Sequence, residues 1–142
     1  MLGGYKMMFL RKKNKYEQLF IFLETYFHYE LVEKNDKKES FFSKYYFIKK
    51  SFPDIQVIIE KDILGIDIKI DNSFWGIPNV YKYLHHDKIV RCRYSSYKDL
   101  IENFENDNKK YLNEIFQNID KISNDKLENF YKEFPQYVFV WG

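Results

Sequence analysis

Residues 55–70, with the sequence IQVIIEKDILGIDIKI, decide the fold class. Every second position in two short runs is isoleucine or valine: Ile55, Val57 and Ile59 in the first, and Ile66, Ile68 and Ile70 in the second. A period of two places these side chains on one face of a β-strand and the intervening residues on the other. Two such runs joined this closely predict an antiparallel hairpin. We expect its apolar face in the core and an outer face that carries the remaining residues: Asp54, Gln56, Glu60, Asp67 and Lys69.

Two registers of this hairpin fit the sequence. A two-residue turn places Asp54 opposite Asp71, and a four-residue turn over 62–65 places Asp54 opposite Ser73. Either register keeps all six aliphatic positions on a common face, because the two differ by an even number of residues.

Helical spacing of apolar residues flanks the hairpin on both sides. We predict helices over 14–32, 78–86, 96–119 and 123–134, further strands over 41–50 and 88–94, and loops over 33–40 and 71–76. Asn14 and Ser96 are expected N-caps, and Pro135 ends the last helix. The apolar residues 137–141 fit either a strand or a segment folded back on the core.

This order of elements predicts an α+β fold. An antiparallel sheet around the central β-hairpin is expected to pack against N-terminal and C-terminal amphipathic helices. The chain has 142 residues, a length that fits a single domain over 1–142. We expect residues 1–13 to form a loosely ordered leader.

Composition and charge exclude several classes of protein. Hydrophobic residues make up 45% of the chain and charged residues 31%, which excludes wholesale disorder. The net charge of +2 does not by itself indicate a nucleic-acid partner. No apolar run approaches the roughly 20 residues of a transmembrane helix, so no membrane partner is expected. The single cysteine, Cys92, fits a reducing cytoplasm.

One pattern on the hairpin resembles the motif of a metal-dependent nuclease. Pro53-Asp54 followed by Asp67-Ile68-Lys69 has the order of the PD-(D/E)xK motif, in which two carboxylates hold Mg²⁺ and a lysine assists the attacking water. With Asp54 opposite Asp71, however, four residues separate it from Asp67 along the ladder, which is about 14 Å. Oxygens that share one Mg²⁺ each lie about 2.1 Å from it. We therefore assign these charges to the solvent face of the strand and keep a small Mg-dependent nuclease as the alternative function.

Three other groupings of reactive residues do not complete a site. His85 and His86 are adjacent, and helical neighbours point about 100° apart instead of forming the i,i+4 pair of a metal site. Cys92 lies between two arginines, which lower a thiol pKa, but its position also fits an inward strand residue, which we prefer. Basic and aromatic residues mix over 81–98, as in binders of single-stranded nucleic acid. A nucleic-acid-binding module therefore stays open as a second alternative. We predict no catalytic residue, no metal and no cofactor.

The order of elements along the chain resembles that of one family of proteins. Its parts are the N-terminal helix ending near Glu30-Leu31-Val32, the strand with Tyr45-Tyr46-Phe47, the hairpin around Lys61-Asp62, the loop with Trp75, the helix Val80-Tyr81-Lys82-Tyr83-Leu84, and a long helix with Asn108 and Ile115 before a short one. Over about residues 14–134 this outline resembles bacterial immunity proteins. These are small cytoplasmic antidotes to contact-dependent growth inhibition and other polymorphic toxins.

The resemblance implies a stoichiometric inhibitor without a catalytic group. Such a protein binds the C-terminal domain of its cognate toxin as a 1:1 complex and occludes the toxin's active site. A nuclease toxin usually has a basic substrate cleft, so we expect acidic hairpin residues and one aromatic anchor to bind it. The expected partner-binding residues are Glu60, Asp62, Asp67, Asp71 and Trp75. An equally simple explanation is that these acidic side chains only keep the outer face of the hairpin hydrated.

Overall fold

The structure, a computed structural model, describes residues 16–37, 42–61 and 63–138. Five antiparallel strands form one sheet in which each strand pairs with the next one in the chain. They are β1 (Glu30–Lys37), β2 (Phe42–Ile48), β3 (Ile55–Glu60), β4 (Ile63–Ile70) and β5 (Ser73–Gly76). Short connections between consecutive strands produce such a meander. The predicted α+β fold class is confirmed.

Helices precede and follow the sheet. They are α1 (Phe22–Thr25), α2 (Ile77–Leu84), α3 (Tyr97–Gln117) and α4 (Asn124–Glu133), with 3₁₀ turns at Glu17–Phe20, Ile119–Lys121 and Pro135–Tyr137. Ser96 and Ser123 cap α3 and α4, since each hydroxyl oxygen accepts a backbone N–H from the first turn. Within the described ranges, no helix has the length and apolar character needed to cross a bilayer.

The helices contribute to one core on a single face of the sheet, which we call the inner face. All six aliphatic positions of the hairpin lie there, and each is 4% exposed or less. Helix residues complete the same cluster, among them Phe20, Leu23, Val80 and Leu112. The Phe20 ring packs 4.9 Å from that of Tyr45 on β2. The predicted assignment of residues to the two faces of the hairpin is therefore confirmed.

The opposite face, which we call the outer face, has a different character. The strand pairing assigns to it Phe42, Lys44, Tyr46, Ile48, Asp54, Gln56, Ile58, Glu60, Ile63, Asp67, Lys69 and Phe74. None of them belongs to the core cluster. Its six hydrophobic side chains are half-buried or exposed, so apolar surface of the sheet faces outward.

The predicted register of the hairpin is wrong. Glu60 pairs with Ile63, so only positions 61 and 62 connect the strands, and Asp54 lies beside Lys69, whose N–H donates to the Asp54 carbonyl at 2.9 Å. Lys61 adopts a left-handed backbone with φ 57°, as tight hairpin turns require. The turn is thus two residues long, as in one of the two predicted registers, but lies one residue earlier in the chain. The pairing of the strands shifts by an even number of residues, which is why the faces were still correct.

The predictions for the N-terminal third were also partly wrong. The helix predicted over 14–32 ends at Thr25, and the loop predicted over 33–40 is largely β1. His28 adopts a left-handed conformation with φ 62°, which ends the helical path before residues 30–37 pair with β2. Residues 1–15 and 38–41, including the expected leader and Asn14, lie outside the described residues.

Two short predictions after the hairpin were wrong as well. Residues 73–76 of the predicted loop form β5 against β4. Residues 88–94, predicted as a strand, have no regular structure. The Tyr111 hydroxyl holds that segment instead, because it accepts the Arg91 N–H at 2.9 Å and donates to the Arg91 carbonyl at 3.0 Å. The predicted helices over 78–86, 96–119 and 123–134 are confirmed within a few residues at their ends, and residues 139–141 lie outside the described ranges.

Candidate functional site

A buried polar pair lies at the centre of the outer face. Gln56 and Asp67 stand opposite each other on β3 and β4, and the Gln56 Nε2 donates to Asp67 Oδ2 at 2.8 Å. Each residue is only 6% exposed. The remaining oxygens, Asp67 Oδ1 and Gln56 Oε1, are buried and accept no hydrogen bond from the residues that the structure describes. Two buried, unpaired acceptors in one contact are unusual in a folded protein and destabilise it.

Two aromatic rings from the flanking strands approach each other above the outer face. Tyr46 on β2 and Phe74 on β5 meet edge to face, with ring centroids 6.0 Å apart. Neighbouring strands lie about 4.8 Å apart, so strands β2 and β5 are roughly 14 Å apart and each ring must reach inward across β3 or β4. Both side chains are half-buried. We call Tyr46 and Phe74 the aromatic roof.

Hydrogen bonding and burial set the electrostatics of the carboxyl groups on the outer face. The Tyr46 hydroxyl donates to Asp54 Oδ2, and this bond raises the pKa of Tyr46 to about 12 because ionisation would abolish the donor. Burial raises the pKa of Asp67, and the Gln56 hydrogen bond and the charge of Lys44 offset this only in part. The centre of the outer face thus contains a carboxyl group that releases its proton less readily than an exposed one.

The predicted partner-binding residues do not form a single surface. Glu60 is exposed at the end of β3 on the outer face, and Asp62 lies outside the described residues. Asp67 is on the outer face but is buried, which corrects its expected exposure. Their part in binding stays a prediction.

The other two predicted residues attach α4 to the sheet. Asp71 is exposed, but its Oδ2 accepts the Asn124 N–H at 2.8 Å. Trp75 lies on the inner face, where its indole donates to Asn124 Oδ1 at 2.8 Å and stacks on Tyr131. Asp71 therefore turns away from the expected acidic row, and Trp75 is half-buried against a helix.

The observed register changes the geometry of the nuclease-like pattern. Asp54 now lies beside Lys69 and diagonally across from Asp67, at a Cα separation of about 7–8 Å instead of the predicted 14 Å. The earlier objection from distance is therefore wrong. In the part of the chain that the structure describes, however, no group of three or more His, Cys, Asp or Glu side chains is placed to hold a metal ion.

His85, His86 and Cys92, the other candidate residues, each make separate contacts. His85 Nε2 lies 3.4 Å from Glu114 Oε2, whereas the exposed His86 ring stacks on Phe134. Cys92 is half-buried and lines a small cavity beside β4. Burial raises its pKa, and the nearby Arg93 lowers it only in part, so the net shift is opposite to the one expected from the flanking arginines.

Sequence reasoning placed Gln56 on the outer face but missed its contact with Asp67 and the nearby charge of Lys44. The outward position of Lys44 follows from the period of two once β2 is aligned. Phe74 was placed in a loop, so nothing connected it to Tyr46. Glu17 was also missed: it is fully buried and accepts hydrogen bonds from Tyr45 and, at 2.7 Å, from Lys34, so it joins the 3₁₀ turn to β1 and β2.

No family model, curated protein or solved structure matches the chain. Function is therefore inferred from the outer face and from the resemblance in the sequence.

Proposed function

We propose that the protein is a cytoplasmic immunity protein that binds the C-terminal domain of a cognate bacterial toxin. The complex is 1:1, and binding through the outer face occludes the toxin's active site. The observation that supports this most directly is the outer face itself: half-buried aromatic and aliphatic side chains surround a buried polar pair whose acceptors are unpaired.

The composition of the outer face fits a protein interface. Tyr46, Phe74, Ile58 and Ile48 present apolar surface outside the core cluster, and Ile48 is 38% exposed. Aromatic residues are enriched at the buried centres of interfaces, and a few of them provide most of the binding energy. Charged side chains at the edges of such a patch, here including Glu60, favour one partner over others.

The buried polar pair, which lowers the stability of the fold, also indicates the outer face as the functional surface. A buried carboxyl with an unpaired oxygen lowers stability. Locally unfavourable groups persist most often where they serve a function. The pair lies at the middle of the outer face, so the unfavourable group and the apolar patch coincide.

The proposal is tested by co-expression with the C-terminal domain of a toxin encoded beside the gene. We expect a complex of 1:1 mass by light scattering and loss of the toxin's activity within it. Ile58→Arg on the outer face should weaken binding at least 100-fold. Ile101→Arg is the matched control, because Ile101 is 48% exposed on α3, and it should bind like the parent chain.

Two results would contradict the proposal. One is the absence of any neighbouring toxin gene or complex. The other is a complex that is abolished by Ile101→Arg and unaffected by Ile58→Arg, with both variants folded by circular dichroism.

A Mg-dependent nuclease is the second candidate, and the observed register favours it. Asp54, Asp67 and Lys69 share the outer face, with Asp54 beside Lys69. If this candidate is correct, the purified chain cleaves DNA or RNA only with Mg²⁺, and Asp67→Ala abolishes cleavage whereas Asp120→Asn does not. Cleavage that survives in Asp67→Ala, or no cleavage with Mg²⁺, would exclude it.

A further inference from the structure

We propose that the polar centre of the outer face receives the guanidinium group of an arginine from the partner. This inference rests on the proposed function and adds the chemistry of one contact. The group would lie beneath the aromatic roof, against Asp67, Gln56 and Asp54.

Unpaired acceptors are the first reason. Asp67 Oδ1 and Gln56 Oε1 are buried acceptors to which no described residue donates. Asp54 uses Oδ2 for the Tyr46 hydroxyl, and no hydrogen bond to its Oδ1 is found in the described chain. A guanidinium carries five N–H donors in one plane, always charged, and so can satisfy several oxygens on a sheet face at once. Its charge also compensates the buried carboxyl group.

The aromatic roof is the second reason. Guanidinium groups stack on aromatic faces and gain cation–π attraction there. Tyr46 and Phe74 are half-buried, and the Tyr46 hydroxyl donates to Asp54 Oδ2. A cation that reaches Asp54 therefore approaches these rings.

The lysines of the outer face do not already fill this role. Lys69 Nζ lies 6.0 Å above the Phe74 ring, and the charge of Lys44 acts on Asp67. Neither forms an ion pair with Asp54 or Asp67, which appear in no ion pair of the described chain. A planar organic cation suits the site better than a divalent metal ion, because the described residues contain no group of three or more His, Cys, Asp or Glu side chains that could hold a metal.

The test uses the isotope-labelled full chain and three probes at equal ionic strength: methylguanidinium, methylammonium and Mg²⁺, each as the chloride. Methylguanidinium should shift the Gln56 side-chain amide and the backbone amides of Asp67 and Phe74 in a saturable way in NMR spectra. Methylammonium should bind more weakly. Asp67→Asn should weaken methylguanidinium binding at least tenfold, and the exposed-site control Asp120→Asn should not change it.

Several results would overturn the inference: shifts that do not saturate, equal binding by Asp67→Asn, or a stronger response to Mg²⁺. The spectrum of Asp67→Asn itself reports whether that variant is folded. A 1:1 toxin complex with no methylguanidinium response would overturn this inference alone. Saturable, Asp67-dependent binding without any toxin complex would overturn the proposed function instead.

Discussion

Replacing Asp67 by asparagine measures what the buried acid at the centre of the outer face costs the fold. The parent side chain is 6% exposed, accepts one hydrogen bond from Gln56 and leaves Oδ1 unpaired. Asparagine has nearly the same shape. Its amide oxygen can accept from Gln56 Nε2 while its NH₂ donates to Gln56 Oε1, so two unpaired acceptors become one hydrogen bond. We expect Asp67→Asn to raise the free energy of unfolding at neutral pH by about 1–3 kcal/mol.

The stabilisation by Asp67→Asn should depend on pH, in a direction set by the pKa of Asp67. Burial raises the pKa of Asp67 in the folded chain, whereas the unfolded carboxyl titrates near about 3.9. The folded state therefore binds the proton more tightly. Protonation of Asp67 therefore stabilises the fold fully below the unfolded pKa, and this stabilisation is lost as the pH rises through the folded pKa. The stability difference between Asp67→Asn and the parent chain should be smallest in acid, grow toward neutral pH and then level off.

Urea unfolding followed by tryptophan fluorescence, repeated from acid to neutral pH, measures this difference. Asp120→Asn is the control: Asp120 is exposed in a 3₁₀ turn, and its substitution should change stability by no more than about 0.5 kcal/mol. A loss of stability in Asp67→Asn at neutral pH, or a gain that does not vary with pH, would refute the reasoning. A loss would mean that Asp67 is charged and well paired in the folded chain, and a gain independent of pH would mean that folding does not shift its pKa.

Three further predictions test the faces and the register. Ile68→Ala on the inner face should lower the free energy of unfolding by about 2–5 kcal/mol, and Ile58→Ala on the outer face by less than half as much; equal losses in urea unfolding would contradict the assigned faces. Tyr46, followed through its ring ¹³C resonance, should ionise with a pKa of about 12, and Asp54→Asn should move that pKa toward about 10; an unchanged pKa would exclude the hydrogen bond. Lys61→Asn should raise the free energy of unfolding by up to about 1 kcal/mol, because asparagine tolerates the left-handed backbone at φ 57°. A lower free energy of unfolding in thermal denaturation would contradict the observed turn.

The faces of the hairpin were predictable, whereas its register was not. A period of two assigns Ile55 and Ile68 to the core whatever the turn, because a shift by two residues preserves the faces. The turn depends on Lys61 adopting a left-handed backbone, and lysine gives no signal for that conformation. The predicted distance between Asp54 and Asp67 was wrong for this reason alone.

Long-range contacts account for the missed strands. β1 is a charged edge strand, and charges are usual there because they discourage pairing with other chains. It is tied to the fold by Lys34, which donates to the buried Glu17, seventeen residues earlier in the chain. The contact between Tyr46 and Phe74 on the outer face could not be predicted either, since these residues meet only after three strand pairings bring β2 and β5 into one sheet.

Hydroxyl-radical footprinting of the chain, alone and in the 1:1 toxin complex, measures most directly whether the outer face binds the partner. Oxidation of Tyr46, Phe74 and Ile58 should fall strongly in the complex. Oxidation of Tyr26 and Tyr97, which are 49% and 43% exposed on the helical side, should stay the same. A complex in which Tyr46 and Phe74 remain as reactive as in the free chain, while Tyr26 and Tyr97 become protected, would show that the partner binds the helices instead.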